Sequence, residues 1–172
     1  MSVEEEVEEH VHHAHEPFDK VVAATMAIIA ACLAIVSVAG QHFISEELLS
    51  QAKASDQWSY YQAKDIRRFT AEATRDTIAE LKQGSAAAAK YNQQANKYKA
   101  DATEIQDRAR ELEKESGRSG AKGRRFHVGE IFLEIAIVFS SLAILTKARQ
   151  LYYAGIVFAA VGVVISVTAW VL

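Results

Sequence analysis

Only one proline, Pro17, stands in 172 residues, and only one glycine, Gly84, occurs between Ser45 and Ser116. Long helices therefore meet almost nothing that would break them. The lone cysteine, Cys32, excludes an intrachain disulfide. Charge is missing from three stretches: no Asp, Glu, Lys or Arg occurs in Val21–Ser45, in Ile135–Thr146 or in Gln150–Leu172. A bilayer's hydrocarbon core of ~30 Å takes a helix of about 20 apolar residues. In lipid only helices and closed barrels satisfy their own backbone. The pattern predicts an all-α membrane protein with transmembrane helices at 18–44, 124–146 and 150–172.

The second of these reaches spanning length only by including Phe126–Glu134, which carries His127, Glu130 and Glu134 with it. A cleaved signal peptide fits Val21–Gly40 poorly, because the flank is acidic and no A-x-A site precedes a mature domain. The first apolar helix is therefore expected to be retained.

What charge there is lies outside those stretches. Residues 1–16 hold six glutamates and no Lys or Arg, whereas residues 46–125 hold sixteen Lys/Arg against thirteen Asp/Glu. Residues 1–17 thus read as an acidic, solvated tail. The mixed middle is not basic enough for a nucleic-acid partner.

Residues 45–123 read as an extramembrane helical segment. Tyr91, Ala95, Tyr98, Ala102, Ile105, Ala109 and Leu112 recur in steps of four and three, the seam of a coiled coil. Leu48, Ala52, Trp58, Tyr61, Ile66, Phe69 and Ala73 form a broader, less regular stripe. Both ends of the segment must meet the same face of the bilayer, yet one 70-residue helix would end ~105 Å away. The chain is therefore expected to turn back near Gly84 into a coiled-coil-like hairpin with arms of ~50 Å. Ser45 is expected to cap the first arm. Gly117–Gly123 (GRSGAKG) is expected to be a flexible return, and Lys147–Leu151 a five-residue link between the last two spans. Basic residues near the membrane ends number four on the hairpin side (Arg118, Lys122, Arg124, Arg125) and three on the other (Lys20, Lys147, Arg149). That bias selects no orientation.

The chain resembles a family of bacterial membrane proteins known as domain of unknown function 4337. The residues that carry the resemblance are Ala54–Arg68 (ASDQWSYYQAKDIRR) and Phe126–Thr146 (FHVGEIFLEIAIVFSSLAILT). The His/Glu-rich tail and the short basic link before the third span match as well. The resemblance implies three spans, a bacterial inner-membrane location and no assigned activity, and it carries no catalytic motif.

Three groups of residues are candidate sites. His127, Glu130 and Glu134 share a helical face by their spacing, and Ser141 extends it. An acid inside a span costs free energy and faces protein or water, so this stripe is either an ion or proton site or a polar contact between helices. Trp58, Tyr61, Tyr91, Tyr98, Ile105 and Leu112, with the small residues Gly155 and Gly162, are candidates for packing in a homo-oligomer. His10, His12, His13 and His15 offer imidazoles to a divalent metal, though His-rich tracts are more often solvated tails.

Enzyme motifs are missing: there is no P-loop, dinucleotide fingerprint, nucleophile elbow or H-E-x-x-H. Ser140 or Ser141 would stand ~20 Å along one helix from His127, too far for a nucleophile and its base. No cofactor is expected. The leading expectation is a non-enzymatic homo-oligomeric assembly or scaffold protein in a lipid bilayer. The alternative is an oligomeric ion or proton pathway lined by His127, Glu130 and Glu134.

Overall fold

The computed structural model describes residues 17–82 and 85–171. Three helices hold nearly all of them: α1 (Pro17–Leu81), α2 (Ala86–Thr146) and α3 (Arg149–Val171). No strand occurs among the described residues. Each helix contains a stretch long and apolar enough to cross a membrane. Gly84, the expected turn residue, lies outside the described residues, as does the tail with His10, His12, His13 and His15.

The helices run further than expected. α1 continues through Gly40 and Ser45, so Ser45 is not a cap, and α2 continues through Gly117–Gly123 without a break. Two of these glycines set helix separation instead of giving flexibility. A Cβ on Gly123 would stand 2.9 Å from Ile44 Cγ1, and one on Gly40 would stand 3.2 Å from Phe126 Cβ. The backbones approach where side chains are missing, and the good helix formers around them keep the hydrogen-bond ladder intact.

The chain divides into two compact units, one of 17–44 with 120–171 and one of Ser45–Ser119. In the first, α1 buries Val22, Ile29 and Val36, one every second turn. α2 buries Phe126, Leu133, Ala136, Ser140 and Ala143, and α3 buries Ala169. Phe43 stacks on Phe126 at 5.6 Å, and Trp170 meets both edge-on. The link between α2 and α3 is only Lys147 and Ala148, shorter than expected because α3 already starts at Arg149. To reverse the chain so tightly, Lys147 takes a φ of 54°. Its ammonium pairs with Asp19 of α1 at 2.5 Å.

In Ser45–Ser119, contacts between α1 and α2 run in opposite order along the two helices. The Ser116 hydroxyl donates to the Glu47 carbonyl, Trp58 Nε1 to Glu113, Lys64 Nζ to Asp101, and Arg75 to Asn92. Ala95, Ala102, Ile105 and Ala109 are buried, and Tyr91, Tyr98 and Leu112 are half-buried. On α1 the inward row is Ser50, Ala54, Trp58, Tyr61 and Ala71. Leu48, Ile66 and Phe69, which the sequence places with Trp58 and Tyr61, are exposed at 62%, 66% and 57%.

Candidate functional site

α2 has two unlike sides in the first unit. Phe126, Gly129, Leu133, Ala136 and Ser140 form the buried one. Residues offset by one position fall on the flank, and the expected polar stripe lies there. His127, Glu134 and Ser141 are exposed, and Glu130 is half-buried. His127 Nδ1 and Glu130 Oε2 approach to 3.3 Å. The Glu134 carboxylate finds no partner among the described residues. Arg125 turns away from the stripe, donating to the Thr168 carbonyl at 3.5 Å.

The buried serines play a separate part. Ser140 Oγ donates to the Ala136 carbonyl at 2.8 Å and Ser166 Oγ to the Gly162 carbonyl at 2.9 Å. Such back-bonding satisfies each hydroxyl within its own helix. It also keeps the surfaces of α2 and α3 small where they meet. Gly155 and Gly162 lie in this contact. A Cβ on Gly162 would stand 2.8 Å from the Gly129 carbonyl oxygen, and one on Gly155 would stand 3.1 Å from the Ala136 carbonyl oxygen. The small-residue face of α3 is thus occupied by α2 of the same chain.

An apolar groove of about 720 Å³ opens beside this core, lined by Ala34, Val38, His42, Phe43 and Trp170 among others. The Lys122 ammonium stands 5.4 Å from the Phe43 ring centre. Nearer the start of α1, Thr25 and Tyr152 share a hydrogen bond of 3.1 Å.

In the second unit Trp58, Tyr61, Tyr91, Tyr98, Ile105 and Leu112, the candidates for packing between copies, are buried or half-buried within the single chain. Trp58 meets Tyr61 edge-on at 5.6 Å while its indole N–H reaches Glu113. The Lys64–Asp101 pair of 2.7 Å lies alongside, and sequence reasoning missed it. The hydrogen bond to Asp101 raises the Lys64 pKa, and the same bond lowers that of Asp101, each against a smaller opposing effect of burial. The signal was present in that both residues flank an apolar seam. Knowing that they face each other requires the register of the two helices.

Among the described residues no group of three or more His, Cys, Asp or Glu is placed to hold a metal ion. The chemistry of the stripe is that of an imidazole and two carboxylates. It can accept and release protons, bind a cation, or hydrogen-bond a neighbouring helix.

No curated protein and no solved structure matches the chain. Residues 18–172 match the family described as domain of unknown function 4337 (DUF4337), and the chain belongs to that family.

Proposed function

We propose that this chain is a non-enzymatic membrane protein that assembles with copies of itself. In this reading the three apolar segments cross the bilayer, and residues 45–123 form a helical hairpin outside it. The observation that carries the proposal is the outward position of Glu134 and Ser141 on the first unit. A carboxylic acid facing lipid near mid-membrane costs about 2.5–3.5 kcal/mol on insertion scales. A neighbouring helix that supplies a hydrogen bond offsets part of that cost. The close contact of Gly155 and Gly162 with α2 is made within the chain, so the association is assigned to the polar flank of α2.

The test is Glu134→Gln beside Glu134→Leu, read by crosslinking in native membranes and by size in mild detergent. An amide still donates and accepts, so the Gln variant keeps the assembly. The Leu variant loses a bond worth about 0.6–2 kcal/mol, roughly a three- to thirty-fold drop in association. A wild-type chain that is monomeric in both settings refutes the proposal.

The His127–Glu130 contact favours one second reading, an ion or proton pathway through the oligomer. Flux in liposomes separates the two. A pathway loses flux in Glu134→Gln with the oligomer intact, whereas an assembly protein shows no flux to lose.

A further inference from the structure

α1 carries a second heptad row in Ser45–Ser119, and it faces away from α2. Leu48, Ala52, Ser55, Ser59, Gln62, Ile66, Phe69 and Ala73 follow one another in strict steps of four and three, and every one is exposed. None is charged. Of the fifteen other exposed positions of α1 between Ser45 and Leu81, six are charged. Charge is therefore kept out of the row as far as Ala73; its next two positions, Asp76 and Glu80, are exposed and charged, so the neutral stretch ends there. The exposed side of α2 in the same unit is crowded with charge, including Lys97, Glu104, Asp107, Arg108 and Glu111. A helix face whose partner is water has no reason to hold such a row.

We infer that this row is the contact between the α1 helices of two copies of the chain, packed in parallel and in register. The inference rests on the assembly reading and names its surface outside the membrane. Copies inserted in one bilayer share a direction, so a shared α1 contact is parallel. In a parallel, in-register pair each seam residue meets its own counterpart. Charged residues would then repel, and neutral ones do not. The heptad puts Ala52, Ser59, Ile66 and Ala73 at a, and Leu48, Ser55, Gln62 and Phe69 at d. The flanking pairs across the seam become Gln51 with Asp56, Trp58 with Ala63, Asp65 with Thr70, and Glu72 with Thr77. No pair brings like charges together, which is what flanking positions must avoid for self-pairing. Gln62 meets Gln62, and a buried amide pair of this kind fixes register.

Single cysteines placed in the full chain in native membranes, with Cys32→Ser as background, test this. Oxidative crosslinking should peak at Ser55, Ser59, Gln62, Ile66 and Phe69. It should fall at least fivefold at Lys53 and Arg67 of α1 and at Lys99 and Asp107 of α2, since a disulfide needs Cα atoms within about 7 Å. Ile66→Glu with Phe69→Glu, both on exposed positions, should cut crosslinking at Ser59 at least tenfold while each chain keeps its helix content. Homodimers without this periodicity, or with a peak on α2, overturn the seam and leave the assembly standing. Row cysteines that crosslink only to a chain of different mass overturn the second copy as partner. No crosslinking together with a monomeric wild-type chain overturns both inferences.

Discussion

Lys64 Nζ stands 2.7 Å from Asp101 Oδ2, and their side chains are 14% and 32% exposed. Water reaches both, so the pair is a modest stabiliser that fixes which turns of α1 and α2 face each other.

Its pH dependence follows from the two shifts. Asp101 is lowered from 3.8, so its contribution is present above that value and lost as pH falls through the folded value. Lys64 is raised from 10.5, so its contribution is present below that value and lost as pH rises through the folded one. Asp101→Asn should therefore lower thermal stability between these limits, and the gap from wild type should close in acid below 3.8. Thermal melts by circular dichroism across pH check this. A gap that persists unchanged at pH 2 would contradict it.

The glycines of α2 and α3 should answer differently to one methyl group. Gly162→Ala forces a contact at 2.8 Å on the Gly129 carbonyl oxygen, a backbone atom that cannot swing aside. A loss of about 1–3 kcal/mol is expected for such overpacking. Nothing lies within 4 Å of a Cβ at Gly117. There Ala gains helix propensity, about 0.5–1 kcal/mol. Unfolding equilibria in bicelles measure both, and equal effects of the two substitutions would sink the argument.

Lys147 sets an unfavourable backbone conformation against an ion pair. A non-glycine residue in the left-handed region carries about 1–2 kcal/mol of strain, while its ammonium holds Asp19. Lys147→Gly removes both. In an Asp19→Asn background the ion pair with Asp19 is already lost, so there Lys147→Gly should be more favourable than in the native chain by about the worth of that pair, up to ~1 kcal/mol. In the native background the gain should shrink. Comparing the two backgrounds measures the coupling.

Much of this architecture can be read from the chain, for identifiable reasons. Three charge-free stretches mark the apolar helices because charge and lipid are incompatible. The seam from Tyr91 to Leu112 is the buried row of α2 because α2 carries one apolar row there. α1 carries two rows, and hydrophobicity alone merged them. Trp58 and Tyr61 belong to the inner row, whereas Leu48, Ala52, Ile66, Phe69 and Ala73 belong to the outer. Gly117–Gly123 reads as a flexible strap because glycine is usually counted as freedom. At Gly123 it is clearance for Ile44. For Glu134 the spacing gives the face it shares with His127 and Glu130. Its outward direction follows only once α3 takes the Gly129–Leu133–Ala136 side.

In the proposed membrane arrangement, the two-residue link at Lys147 and Ala148 constrains how the chain enters a bilayer. No slack exists for α2 to settle before α3 arrives, or for either to invert while the other stays. The closely apposed glycine backbones reinforce the constraint. In that arrangement topogenesis treats 124–171 as one indivisible pair of spans, and any signal that orients α2 orients α3 with it. Reversing the chain's sidedness by moving charges would have to turn both helices at once.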